Sequence, residues 1–306
     1  MINSEADLLP GLIVKAQSGI FDVETEQGII PSKLRGRLMK ERMESDAAAL
    51  GDRVLISKQP EGLATIEVVE ERVRVLSRKS PGRSEIEQVL VANPDQAVFV
   101  FACADPEPNF RMLDRLLVVA EREEIPALIC ANKIDLVVPR TAKQAFGIYP
   151  KLGYPVLYTS AQTGKGVRAV HKALQGKISV LAGPSGVGKT SLLNKIQPGL
   201  GLHTSEISQA TGRGRHTTVV PELLKLEGGG YVADTPGLKA FALWDIEPEE
   251  LDAYFPEIRT LVAGCEFSDC THTHEPGCAV SVALENGEID PERYDSYLRM
   301  RSGALE

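Results

Sequence analysis

No apolar run in the 306 residues approaches the ~20 that a membrane-spanning helix requires. The opening stretch MINSEADLLP lacks the basic region and apolar core of a secretory signal, so a cytoplasmic location is expected. Cysteine is scarce and odd in number: five residues exclude a complete disulfide framework and favour reduced thiols or metal ligands. Gly and Pro are present at ordinary levels, and 43% hydrophobic with 25% charged residues excludes disordered, collagen-like and coiled-coil chains. Positive charge is in deficit, with 34 Lys and Arg against 42 Asp and Glu. A net charge of -8 ordinarily argues against a nucleic-acid partner. The length is about twice that of a typical single domain, which predicts two or three folding units.

The charge is unevenly placed. Residues 240–306 hold 15 acidic and 4 basic side chains, so the remaining 239 residues carry 30 basic against 27 acidic. Two basic clusters lie in this remainder: Lys33, Arg35, Arg37, Lys40 and Arg42 against the single acid Glu41, then Arg72, Arg74, Arg78, Lys79 and Arg83 with no acid between. Residues 11–76 read as about five short strands separated by turn signals, the pattern of a small barrel such as the five-stranded oligonucleotide-binding (OB) fold. SRKSPGRSE at 77–85 reads as a linker. From residue 92 apolar strands alternate with helical segments, which predicts a mostly parallel sheet with helices on both faces and ligands at the C-terminal strand ends.

Gly183-Pro-Ser-Gly-Val-Gly188-Lys189-Thr190 follows the strand ISVLA and precedes the helical SLLNKI, the strand, loop and helix order of a phosphate-binding loop. Its backbone N–H groups can wrap a β-phosphate, Lys189 can reach the β- and γ-phosphates, and the Thr190 hydroxyl can ligate Mg²⁺. Asn132-Lys133-Ile134-Asp135 follows the strand ALICA, and Thr159-Ser160-Ala161 follows YPVLY. A carboxylate at Asp135 can accept from guanine N1–H and N2–H, groups that adenine lacks, and such pairing discriminates by roughly 10⁴–10⁵-fold. The Ser160-Ala161 backbone can add a donor to guanine O6, while Lys133 packs its stem along the base or loop. Asp234-Thr-Pro-Gly237 suits a carboxylate near Mg²⁺ and a glycine N–H at the γ-phosphate. Between them, GRGRHTTV at 212–219 contains Thr217 and Thr218, either of which can supply a second Mg²⁺ hydroxyl. The guanine motifs precede the phosphate loop, the reverse of the ordinary GTPase order, and a circular permutation explains this.

Leu238 follows Gly237, so no Gln stands there to orient water, and unassisted turnover is expected near or below ~10⁻⁴ s⁻¹. His216 beside the threonines is the candidate for that role. Downstream, Cys265, Cys270 and Cys278 with His272 match a closed Cys₃His zinc site, with His274 as the rival imidazole. Cys103 and Cys130 lie in apolar strands and read as core residues.

This combination resembles the ribosome small subunit-dependent GTPase A (RsgA) family over nearly the whole chain. The resemblance implies a multidomain α/β protein: an N-terminal OB-like β-barrel at 1–76, a linker at 77–91, a central circularly permuted P-loop GTPase at 92–240, and a mainly helical zinc-binding C-terminal domain at 241–306. It implies a GTP hydrolase that assists late maturation of the 30S subunit, stimulated by the subunit and contacting 16S rRNA. GTP ligands would fall on Asn132, Lys133, Ile134, Asp135, Ser160, Ala161, Gly183, Pro184, Ser185, Gly186, Val187, Gly188, Lys189, Thr190 and Ser191. The catalytic group would be Lys189, Thr190, Thr217, Thr218, Asp234, Gly237 and His216, with Mg²⁺ beside GTP, and Zn²⁺ on Cys265, Cys270, His272 and Cys278. A monomer is expected. The competing readings are a P-loop kinase or ATPase with a coincidental NKID, and a non-enzymatic RNA-binding scaffold.

Overall fold

The structure, a computed structural model, describes residues 8–38, 46–59, 62–80, 83–200, 222–234 and 246–304. It divides into two compact units: Met1–Ala97 with Arg168–Ala182 and Thr190–Ala240, and Val98–Val167 with Gly183–Lys189 and Phe241–Glu306.

In the first unit, β1 (Leu9–Gln17), β2 (Ile20–Thr25), β3 (Gly28–Leu34), β4 (Arg53–Ser57) and β5 (Ala64–Val69) pair in the order β1-β2-β3-β5-β4. Strand β4 returns to β1 from Leu9↔Ile56 to Leu12↔Arg53, and this pairing closes the barrel and removes its open edges. The alternation seen in the sequence fills the interior with Ile13, Phe21, Val23, Val54, Ile56, Ala64 and Ile66. The five expected strands and the OB-like strand order are both present. The stretch 77–85, whose Pro and Gly suggested a linker, falls largely within an antiparallel ribbon of β6 (Val75–Ser80) and β7 (Arg83–Ala92). Such punctuation marks hairpins as well as linkers, and composition alone does not separate the two.

The same unit contains β11 (Ile178–Ala182), β12 (Glu222–Lys225) and β13 (Tyr231–Asp234), with β11 parallel to β13 and β12 antiparallel to it. Strand β12 also pairs with barrel strand β1 at Lys15↔Glu222, beside a bulge between Ile13 and Lys15. Lys15 Nζ lies 3.4 Å from Glu222 Oε2, Lys225 pairs with Glu24, and Tyr231 Oη donates to Glu24 at 3.1 Å. Glu222 is in turn the cross-strand partner of Asp234. The barrel is thus joined by backbone pairing to the strand beside the DTPG motif.

The second unit holds most of β8 (Gln96–Ala102), then β9 (Ala127–Asn132) and β10 (Val156–Tyr158), with β9 and β10 parallel. Every residue of β8 is buried, consistent with a strand covered on both faces. Its helices are α1 (Phe110–Arg122), capped by Asn109 Oδ1 accepting from Met112 N–H at 2.9 Å, and α2 (Pro139–Ala145). Helix α3 (Val167–Leu174) precedes β11, and α4 (Lys189–Ile196) follows it. The C-terminal part is mainly helical, as expected: a 3₁₀ segment Pro248–Tyr254, then α5 (Pro256–Arg259), α6 (Ala279–Glu285) and α7 (Pro291–Arg301). Val118 of α1 packs with Leu251, Phe255, Ile258, Val280 and Tyr297, so this part shares a core with the helix after β8.

A buried charge cluster fastens the same junction. Arg293 donates to Asp114 Oδ1 at 2.8 Å and to Glu257 at 2.7 and 3.2 Å, while Ser296 and Tyr149 hydroxyls donate to Asp114 at 2.6 and 3.0 Å. Asp114 and Arg293 are each only 2% exposed. Burial pushes the Asp114 carboxyl above its ordinary range and Arg293 with these hydrogen bonds opposes that, so the cluster is paired throughout. Among the described residues, no helix is long and apolar enough to cross a membrane.

Candidate functional site

Asn132 organises the site. Its side chain is 1% exposed, donates Nδ2–H to the Val187 carbonyl at 2.9 Å, and accepts at Oδ1 from Thr159 Oγ1–H at 3.0 Å and Ala161 N–H at 3.3 Å. One amide therefore ties the NKID turn to the phosphate loop and to the TSA segment. The spacing of the motifs in the chain conceals this, since 55 residues separate Asn132 from Val187 and 29 separate it from Ala161. Asn132 acts as the keystone of the three loops.

The phosphate loop leaves β11 at Gly183, whose φ of 144° and tight packing both demand glycine: a Cβ there would lie 2.1 Å from Val100 O. Gly188, at φ 91°, faces the keystone itself, and a Cβ would lie 2.6 Å from Asn132 Nδ2. Between them Val187 is buried, Pro184 is half-buried, and Ser185 and Gly186 are exposed. Lys189 opens α4, and its Nζ donates to the carbonyls of Gly183 and Pro184, each at 2.7 Å. Thr190 and Ser191 follow in the first turn of α4, half-buried and exposed respectively.

Lys133 takes the left-handed conformation at φ 60° and donates Nζ–H to the Asp105 carbonyl. Ile134 is buried, with its N–H on Thr159 O at 3.1 Å, and this presents Asp135 exposed in a 3₁₀ turn, Ile134–Leu136. Of the backbone donors expected near guanine O6, Ser160 N–H is engaged by Lys165 O at 2.9 Å, and Ala161 N–H makes only the long bond to Asn132.

Sequence reasoning missed the turn after β8. Cys103 N–H donates to Asn132 O at 2.8 Å, Asp105 O receives Lys133, and a Cβ built at Gly186 would lie 3.7 Å from Pro106 Cδ. Residues 103–106 thus line both the NKID turn and the phosphate loop, and only Pro106 after an apolar strand hinted at a turn. Burial, with the Asp135 carboxylate nearby, pushes the Cys103 thiol up to about 11, and burial pushes Cys130 up to about 12. Both remain neutral thiols at pH 7. Cys130 is a buried residue of β9, as expected, whereas Cys103 is half-buried and lies just past the end of β8, because the chain turns there towards the NKID segment.

Asp234 closes β13. His216, Thr217, Thr218 and Gly237 lie outside the described residues, as do Lys40, Arg42, Arg213 and Arg215. The basic clusters are partly structural. Arg72 is bidentate to the buried Asp52 at 2.8 and 2.7 Å and only 8% exposed in its side chain, and Arg35 pairs with Glu67. Lys33 is exposed on β3.

Cys265, Cys270, His272 and Cys278 converge, their ligand atoms all within 4.8 Å of one another. His272 Nδ1 lies 3.5 Å from Cys265 Sγ and 3.6 Å from Cys278 Sγ. A tetrahedral Zn²⁺ with its usual bond lengths places N and S ligands about 3.5 Å apart, so the donor set fits that ion. His274 is exposed and its Nδ1 pairs with Thr273 Oγ1 at 2.7 Å, so geometry chooses His272.

Together these features define a P-loop fold in which the NKID and TSA turns precede the phosphate loop, the order of a circularly permuted GTPase. The family model described as RsgA GTPase matches residues 69–244, and that of the RsgA N-terminal domain matches residues 10–66. The chain belongs to the RsgA family and is a GTP-hydrolysing enzyme. It is 45% identical over 294 residues to the small ribosomal subunit biogenesis GTPase RsgA of Gemmatimonas aurantiaca, covering 95% of this chain and 96% of that one. It is 40% identical to the protein of the same name from Caldanaerobacter subterraneus, over 95% and 94% of the two chains. Among solved structures it resembles YjeQ from Thermotoga maritima, with TM-score 0.81, 39% identity and 97% and 99% coverage. It also resembles YloQ, described as a circularly permuted GTPase, with TM-score 0.76, 32% identity and 99% and 97% coverage.

Proposed function

We propose that this chain is a cytoplasmic maturation factor of the small ribosomal subunit, which binds 30S particles through 16S rRNA and hydrolyses GTP when the subunit stimulates it. GTP state controls its association and release, and the chain acts as a monomer. The observation that carries the reading is the Asn132 junction. It ties the NKID turn, the phosphate loop and the TSA segment together, which supports a guanine-nucleotide site, in a chain of which 95% aligns with 96% of a relative named for small-subunit biogenesis.

In this reading Asp135 accepts from the guanine edge, and Lys133, Ile134, Ser160 and Ala161 border the base. Gly183 to Ser191 wrap the phosphates. Lys189 Nζ moves from the Gly183 and Pro184 carbonyls to the β- and γ-phosphate oxygens. Thr190, Asp234 and one of Thr217 or Thr218 would hold Mg²⁺, which when bound neutralises charge on the β- and γ-phosphates. Gly237 N–H meets the γ-phosphate. His216 orients a water whose oxygen attacks the γ-phosphorus. The bond from that phosphorus to the β–γ bridging oxygen breaks, leaving GDP, phosphate and a released proton. Cys265, Cys270, His272 and Cys278 hold one structural Zn²⁺, which would supply folding energy to a small helical region. The domain limits in this reading are 1–76 for the barrel, 92–240 for the GTPase domain and 241–306 for the zinc-binding domain, with 77–91 between the first two lying within the β6–β7 ribbon.

The test is GTP turnover with and without purified 30S subunits. Stimulation by the subunit, lost in Lys189→Ala, is the expected result; equal turnover with and without subunits overturns the reading. For His216→Ala, unchanged stimulation removes that residue from the mechanism.

A further inference from the structure

Zinc ligation through His272 Nδ1 leaves the second ring nitrogen to be accounted for. A neutral imidazole bound to a metal at Nδ1 carries its single proton on Nε2, and that N–H needs an acceptor if it is buried. The His272 side chain is 1% exposed, and among the described residues its Nε2 has no hydrogen-bond partner. The Asp252 carboxylate lies close by, with Oδ2 3.5 Å from Nε2. Asp252 belongs to the 3₁₀ segment Pro248–Tyr254, which precedes the Cys and His cluster in the chain.

We propose that Asp252 is the outer positioning residue of the metal centre: its carboxylate accepts the Nε2 proton of His272, fixes the tautomer that presents Nδ1 to the metal, and slows metal loss. The proposal rests on the zinc reading of the cluster given above. Two observations support it. The backbone around His272 is already fixed, with Tyr294 Oη donating to His272 O at 2.6 Å and Tyr297 Oη to Thr271 O at 3.0 Å, so ring rotation is the freedom left to control. Asp252 is itself held on a rigid base, because the adjacent Leu251 is buried in the C-terminal core and Arg301 Nη1 donates to Pro248 O at 2.6 Å. A carboxylate that accepts from the far nitrogen of a metal-ligating imidazole would also raise the basicity of that ligand. A contraction of a few tenths of an ångström would bring the 3.5 Å approach into hydrogen-bond range.

The experiment uses the full chain loaded with zinc, as wild type, Asp252→Asn, Asp252→Ala and Cys270→Ser. Bound zinc is counted, and its release into excess chromogenic chelator is timed. Wild type and both Asp252 variants should carry one ion per chain, with Asp252→Ala releasing it about 10- to 100-fold faster. Asp252→Asn, whose amide oxygen still accepts from Nε2–H, should fall between them. Cobalt-substituted Asp252→Ala should show a displaced ligand-field band. Release rates of both variants within twofold of wild type overturn the proposal. Faster release with an unchanged cobalt spectrum and a lowered melting temperature of the metal-free protein also overturns it, since Asp252 would then serve only the fold. A wild-type chain that binds no zinc, indistinguishable from Cys270→Ser, refutes the zinc reading itself.

Discussion

Replacing Asn132 by Ala should weaken guanine-nucleotide binding by about two orders of magnitude without changing the preference for guanine. The substitution deletes three hydrogen bonds, to Val187 O, Thr159 Oγ1 and Ala161 N. At ~1 kcal/mol net for each, the loss is about 3 kcal/mol, with more at risk at Val187, whose buried carbonyl loses the Asn132 amide, while Thr159 Oγ1 keeps Cys130 Sγ at 3.2 Å. If the phosphate loop and the TSA turn relax apart in the free protein, nucleotide binding must draw them together again. A deficit of about 3 kcal/mol then corresponds to ~10²-fold in Kd. Any part not borne by binding should appear in stability, at about 2–4 °C of Tm per kcal/mol for a domain of this size. Calorimetric titration with GDP and ADP, together with thermal melting, reads both quantities. The GDP-to-ADP affinity ratio should be preserved, because all three deleted bonds are internal to the protein. Gly188→Ala attacks the same junction from the other side, since its Cβ would lie 2.6 Å from Asn132 Nδ2. The double variant should therefore be clearly less than additive. A GDP Kd within threefold of wild type together with a Tm within about 1 °C would refute the keystone role of Asn132.

Asp135→Asn should have the opposite signature: a collapse of the GDP-to-ADP ratio by several orders of magnitude at nearly unchanged Tm, measured by the same titrations, because Asp135 is exposed and its carboxylate supports no loop. Arg293→Ala should lower stability by about 3–5 kcal/mol in urea denaturation, because it strands Asp114 in a buried site, while Arg299→Ala, nearer the surface, should cost under about 1 kcal/mol. Binding to 30S subunits should weaken with salt, and Lys33→Ala should reduce the log–log slope by about one while leaving the fold intact. Arg72→Ala should instead destabilise the barrel, since its guanidinium holds the buried Asp52, and an unchanged melting curve would contradict that assignment.

Much of the architecture was legible because it depends on local pattern. Alternating apolar residues at 11–76 mark strands whichever way they are paired, and a glycine loop between an apolar strand and a helix has few other uses. Residues 77–91 were opaque, because the Ser, Pro, Gly and Arg that suggest a linker also occur where two strands pair as a ribbon. The basic clusters were legible as charge but not as role. Arg72 and Lys33 look equivalent along the chain, and only their surroundings separate a buried bidentate partner of Asp52 from an exposed side chain.

The sequence by itself determined the chemistry available: a phosphate loop, a carboxylate suited to guanine, three thiols and two imidazoles near one another, and a permuted order. Motif identity and spacing settle these because each chemistry needs its residue types within a short reach. Only the tertiary structure decided that Asn132 joins the three loops, that residues 103–106 lie against the NKID turn and the phosphate loop, and that His272 rather than His274 faces the thiols. It also placed Asp252 behind the ring of His272. Each of these depends on contacts between segments far apart in the chain or on the direction of a side chain, and folding sets those through burial and hydrogen-bond satisfaction that no local pattern encodes.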